Sequence, residues 1–307
     1  MDLRAKLQRG FGVAPAPAAA PAPDAALRAM LQRHAQREVT RHEPVALPEG
    51  REARNARGAF FLRTLRYPLA TRHGHHALGD VLGVDHARLA RHAREPRCPA
   101  VLPQECLFLD TETTGLGGGS GTLVFLCGIG RFDAGAFELE QVFLRSFAEE
   151  AAALAHVAQR VQESPWLVSF VGKTFDRHRL HARMTVHRVT APILGERHFD
   201  LYYAARRAFG TQLPDCRLRT LEAQVLGVVR CDDLPGAEAP AAFLDWVRDG
   251  SGAVDRVFEH NRLDVLTLVS LMARLGAVEP PPPRTTCVQR PARIGRSRSR
   301  TAPEEQV

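Results

Sequence analysis

The chain has 307 residues, of which 45% are apolar and 24% charged, a globular composition that excludes a collagen-like repeat and wholesale disorder. No stretch approaches the roughly 18 uninterrupted apolar residues of a membrane span, and the N-terminal MDLRAKLQRGFG lacks the apolar core of a secretory signal. Six cysteines without a CxxC pair argue against a disulfide framework or a structural zinc site, so a soluble, cytoplasmic protein with reduced thiols is expected. The net charge of +7 is unevenly spread: residues 1–100 carry 17 basic and 9 acidic groups, residues 101–276 carry 18 and 22, and residues 277–307 carry 6 and 3. An acidic middle between basic ends suits an enzyme that holds cations centrally and grips phosphates elsewhere. A bias in genomic base composition explains the charge equally well, since Lys6 and Lys173 are the only lysines beside a large arginine excess.

In chain order, VAPAPAAAPAP at 13–23 reads as an extended linker, which makes residues 1–23 a flexible N-terminal segment. Residues 24–38 suit a short helix through Leu27, Met30 and Leu31, but residues 24–100 as a whole form a poorly defined basic region. Cys106–Asp110 reads as an apolar strand followed by a glycine cluster at 115–121. Thr122–Arg131 and Ala136–Leu144 then flank the turn Asp133-Ala134-Gly135, giving an antiparallel meander. Ala148–Gln162 has helical spacing, Trp166–Phe170 is a fourth strand, and Phe175–Met184 is again helical. Helices are expected at Leu201–Phe209, Leu218–Leu226 and Ala241–Val247. A last helix over Val254–Leu275 carries an apolar stripe at Val257, Val265, Leu268, Val269 and Met272. From Glu279 the tail, with Pro280 to Pro283 and GRSRSRTAPEEQV, has too little apolar content to fold, so residues 277–307 are expected to be disordered. The pattern predicts an α/β layer arrangement.

The strongest local feature is LFLDTETTGL at 107–116. On a strand, side chains two apart share a face, so Asp110 and Glu112 point the same way from the end of an apolar strand. Such closeness of like charges calls for protons, cationic partners or divalent ions, although a bare DxE is more often a solvated strand end. Asp176 stands at a strand-to-helix junction, where sites commonly form and where helix capping is the ordinary role. His260 and Asp264 share one face of the last helix, a turn apart, a spacing typical of a surface pair. The glycine cluster is neither a dinucleotide fingerprint nor a P-loop, because strand-like TLVFLCGIG follows it. Its glycines either let nucleic acid approach the backbone or simply make a turn. His73, His75 and His76 lack a suitably spaced partner for a metal and read as surface histidines. Lys173 either contacts a phosphate or is solvated, and Asp200 either supports the site or caps a helix.

Taken together, DTETTGL, a later FD opening a helix, and an acid in a late helix preceded by His resemble the DEDD superfamily of metal-dependent 3′–5′ exonucleases. The segments LFLDTETTGLGGGSGTLVFLCGIGRF, SFVGKTFDRHRL, HFDLYYAARR, RLRTLEAQVLGVVRCDDLPG and EHNRLDVLTLVSLMARL, in this order, closely resemble the bacterial YprB-type ribonuclease H-like domain. The likeness covers about residues 101–275 and, more faintly, HGHHALGDVLGV from His73. It implies a ribonuclease H-like fold over 101–276, with a mixed central sheet flanked by helices. It also implies that Asp110, Glu112, Asp176 and Asp264 hold two Mg²⁺ or Mn²⁺ ions, with His260 where the superfamily keeps its general base. The His260-x-x-x-Asp264 interval is that of the tyrosine-bearing branch. Val171 and His178 stand where related sequences often have Asn and Pro. The function implied is removal of nucleotides from a single-stranded 3′ end, DNA or RNA. A catalytically silent nucleic-acid-binding module and an endonuclease of the same fold are the alternatives.

Overall fold

A central strand buried on both faces reads as a continuous apolar run rather than an alternating one, and CLFL at 106–109 is such a run. The computed structural model describes residues 44–281, apart from 96–97, 116–120 and 191–196. The linker, the helix suggested at 24–38, most of the glycine cluster and most of the tail fall outside the described residues.

Nine strands are described: β1 (Arg51–Asn55), β2 (Gly58–Pro68), β3 (Arg72–His73), β4 (His76–Ala77), β5 (Cys106–Thr113), β6 (Val124–Asp133), β7 (Ala136–Phe143), β8 (Trp166–Ser169) and β9 (His198–Asp200). Seven of them form one sheet in the order β1-β2-β7-β6-β5-β8-β9, while β3 and β4 make a separate small ribbon. The meander β5-β6-β7 is antiparallel, as the turn signals predict, and β5, β8 and β9 run parallel. The turn between β6 and β7 places Ala134 at φ 43° and Gly135 at φ 74°, and Asp133 pairs with Ala136 across it. Positive φ at both central residues matches the right-handed twist of the flanking strands.

The helices are α1 (His86–Ala93), α2 (Glu150–Gln162), α3 (Asp176–Val186), α4 (Leu201–Phe209), α5 (Leu218–Leu221), α6 (Ala239–Asp249) and α7 (Val254–Gly276). The expected helix Leu218–Leu226 splits into α5 and a π-helical turn over Glu222–Leu226. No described helix is long and apolar enough to cross a membrane, and the five described cysteines are unpaired.

The region taken as poorly defined, 24–100, is corrected over its described part. There, β2 pairs antiparallel with β7 from Phe61↔Phe143 to Pro68↔Ala136, and β1 pairs with β2. The sheet therefore continues past the boundary suggested at residue 101. His73 is also corrected: it is 7% exposed, with Nε2 2.8 Å from Thr267 Oγ1, not a surface histidine.

Two apolar clusters sandwich the sheet. Leu107 and Leu109 face one, with α2, α6 and the first turns of α7. Cys106 and Phe108 face the other, with α1, α4 and the rest of α7 from Val265. The close crossing of α7 over β6 needs Gly128, where a Cβ would lie 2.4 Å from Asn261 Oδ1. Gly128 pairs with Asp110, so the same close approach brings α7 to the acidic end of β5.

Candidate active site

Asp110 and Glu112 leave the apolar part of β5 on one face, as alternation requires. Asp176 is the first residue of α3, directly after the loop that follows β8. His260 and Asp264 lie one turn apart on α7, with His260 Nε2 3.6 Å from Asp264 Oδ2. Side-chain atoms of Glu112, His260 and Asp264 lie within 4.8 Å of one another. Asp110 and Asp176 stand outside that trio. Asp176 is held from β5: Thr111, on the opposite face of the strand from Asp110, donates to Asp176 Oδ1 at 2.5 Å.

The electrostatics tie all four acids into one neighbourhood. Burial, then the charges of Asp264 and Asp176, raise the Asp110 carboxyl well above its ordinary range, against a hydrogen bond from Asn261. Burial, then Asp110, Asp264 and Asp176, raise Glu112 in the same way. Burial pushes Asp176 up to about 6, opposed by the Thr111 bond and helped by Asp200. Carboxyls buried together repel when ionised, and a divalent cation relieves that repulsion. The donors are hard carboxylate oxygens, the ligand type that Mg²⁺ and Mn²⁺ prefer, so the residues fit such ions on their own chemistry.

A second layer fixes these groups. Asn261, fully buried, donates through Nδ2 to Asp110 Oδ2 at 2.8 Å. Its Oδ1 accepts from Gln141 Nε2 of β7 at 3.0 Å, which fixes the amide orientation. Asp233 Oδ1 lies 2.8 Å from His260 Nδ1. Arg230, whose side chain is 4% exposed, donates to Asp264 Oδ1 and Glu222 Oε1 and reaches Asp233 Oδ2 at 3.4 Å. Burial opposes its charge, but Asp264 and Glu222 outweigh burial and hold the guanidinium ionised. Glu222 also accepts from Thr267 at 2.5 Å, which leaves His73 as donor to Thr267. Burial and the nearby Arg230 and Arg262 push His73 down to about 4, so it stays neutral.

Asp200 does both things proposed for it. It caps α4 through Tyr202 N at 3.1 Å, and it accepts from Val171 N and Lys173 N at 2.9 and 3.0 Å, fastening the loop that delivers Asp176. In that loop Val171 sits at φ 62°, a left-handed conformation that Asn adopts with less strain than a β-branched residue. Sequence reasoning missed Thr111, Glu222, Arg230, Asp233 and Asn261. Arg230 and Asp233 lie in RCDDLPG and Asn261 in EHNRLD, where an arginine beside paired acids and an amide next to His260 were the available signals.

The RNase H superfamily profile matches residues 107–276. The chain is 32% identical over 221 residues to the uncharacterized protein YprB of Bacillus subtilis (strain 168), a similarity covering 68% of this chain and 51% of that protein. The chain thus spans about half the length of that relative. With its mixed sheet, its flanking helices and these similarities, the chain belongs to the RNase H superfamily.

Proposed function

We propose that the protein is a 3′–5′ exonuclease that hydrolyses single-stranded DNA or RNA with two divalent cations, Mg²⁺ or Mn²⁺, and that residues 101–276 carry this chemistry. The observation that supports this most strongly is that, beyond burial, the charges of Asp176 and Asp264, from elsewhere in the chain, raise the carboxyls of Asp110 and Glu112 at a single strand end. The ions, when bound, would supply Lewis-acid polarisation of the phosphodiester and neutralise charge on its oxygens.

The chain's own residues divide the remaining work. Asp110, Glu112, Asp176 and Asp264 would hold the ions, with Asn261 and Thr111 fixing the carboxylates of Asp110 and Asp176. With Nδ1 committed to Asp233, His260 directs Nε2 toward Asp264. It would there accept the proton of the attacking water, a transfer that needs a neutral imidazole. Arg230 keeps one oxygen of Asp264 in place while Oδ2 faces His260.

The test is an oligonucleotide labelled at either end, incubated with the full chain and Mg²⁺ or Mn²⁺. Mononucleotides released from the 3′ end, with no cleavage in EDTA, are expected. Internal fragments would reassign the enzyme as an endonuclease, and binding without products would make it a silent module.

A further inference from the structure

Beside the loop that delivers Asp176 lies a cavity of about 380 Å³, lined by Phe170, Val171, Tyr202, Cys216, Arg217 and Leu218, with Asp215 on its rim. We infer that this cavity is a nucleobase subsite, in which an unstacked base of the substrate strand is received on the Phe170–Tyr202 aromatic wall with its phosphate toward Arg217. This rests on the proposed nuclease function and adds to it how the strand is gripped.

Four observations carry the inference. First, the cavity adjoins the catalytic loop: Val171 lines it, and a Cβ on the next residue, Gly172, would lie 3.0 Å from Asp176 Oδ2. Second, a single carboxylate, Asp200, bonds Val171 N and Tyr202 N, so two walls of the cavity and the loop to Asp176 are fixed as one unit. Third, the aromatics form a row leading outward. Phe170 meets Tyr202 edge-on at 5.6 Å, and Tyr202 meets Tyr203 at 5.3 Å, with Tyr203 37% exposed. The chain has three tyrosines, and two of them stand here. Fourth, a guanidinium faces solvent beside the cavity. The Arg217 side chain is 85% exposed and meets Asp215 only loosely, at 3.9 Å. Asp215 is itself engaged by Arg217 N and by Thr220 Oγ1 at 3.0 and 2.5 Å. An aromatic wall with an exposed arginine beside a hydrolytic site is the arrangement by which single strands are held without sequence preference, because every base has a π-face and every nucleotide a phosphate.

The experiment walks one abasic residue through the 3′-terminal nucleotides of a fluorescent single-stranded oligonucleotide. Binding to the full chain is read by anisotropy in EDTA. For the wild type, one position of the walk should weaken binding about tenfold. Tyr202→Ala should weaken binding of the intact strand by a similar factor and flatten the walk, while Tyr202→Phe should preserve it. Arg217→Ala, at an exposed position with little bearing on folding, should weaken binding uniformly and reduce the salt slope by about one. A flat walk in the wild type, or a dip that survives in Tyr202→Ala, overturns the subsite. If the dip behaves as expected but end-labelled strands yield internal fragments or no products, the subsite stands and the exonuclease reading fails. If 3′ mononucleotides appear with a flat walk, the reverse holds.

Discussion

Two buried carboxylate sites on the same sheet are handled in opposite ways. On β7, Glu140 is 5% exposed and takes hydrogen bonds from His156 Nε2 at 2.7 Å and from Arg160 Nε and Nη2 at 3.0 and 2.6 Å. Burial alone would raise its carboxyl, but these bonds bring it down to about 2. At the end of β5, Glu112 and Asp176 are buried to a similar degree and Asp110 is half-buried; burial pushes all three carboxyls upward, and neighbouring acids add to it. Arg230 is shared among Asp264, Glu222 and Asp233, and Arg179 acts on Asp176. The first site is electrostatically closed by its own side chains. The second has more anionic charge than its side chains balance, which is the condition for taking up cations from solution.

The largest effect expected from this contrast comes from Asp110→Asn. Removing one member of the repelling cluster should lower nuclease turnover by more than about 10³-fold, roughly 4 kcal/mol in the barrier. It should also raise the melting temperature of the metal-free protein by about 2–4 °C. Calorimetry in EDTA alongside the nuclease assay reads both, and a fall in melting temperature would break the comparison.

At the closed site the expected sign reverses. Arg160→Leu leaves Glu140 buried without its main partner and should destabilise by about 3 kcal/mol in urea denaturation. The pH dependence follows from the same bonds. A carboxyl depressed in the folded state contributes stability above its unfolded value of 4.5, and that contribution is lost as pH falls toward about 2. Glu140→Gln should therefore flatten stability against pH across that window, and an unchanged acid limb would show that the bonds to His156 and Arg160 carry no net stabilisation.

Smaller effects sharpen the picture around the acidic cluster. Asp233→Asn should lower turnover about 10- to 100-fold by removing the anion that fixes His260, with Mn²⁺ affinity changed far less. A parallel loss of both would mean that Asp233 acts through the ions rather than through the imidazole. Val171→Asn should stabilise by about 1 kcal/mol by relieving the left-handed strain at φ 62°. A loss of stability in urea denaturation would show that the valine side chain packs better than its backbone suggests.

The parts of this molecule that were legible from sequence are those whose pattern is local. β5 announces itself as an apolar run ending in DTET, α7 as a long stripe, and the β6–β7 hairpin through its turn residues. β1 and β2 were not legible, because their strand character comes from pairing. Only Ala53 of β1 is buried, and β2 is ordered by its register with β7, 68–82 residues away in sequence. The five expected site residues could be named because DxE, FD and HxxxD recur in a known order. Arg230, Asp233 and Asn261 act through partners 34, 27 and 151 residues distant, a relation that no periodicity encodes. His73 failed for the same reason, since its burial depends on Thr267 and on α7 crossing above it.

The most direct test of the central claim is a Mn²⁺-binding isotherm, by calorimetry or by electron paramagnetic resonance, on the full chain and on Asp110→Asn. Saturable binding by the native protein that is lost or weakened at least tenfold in the variant is the predicted result. Equal binding by both proteins, or none by the native chain, would contradict the claim that the carboxylates at the end of β5 form a cation site.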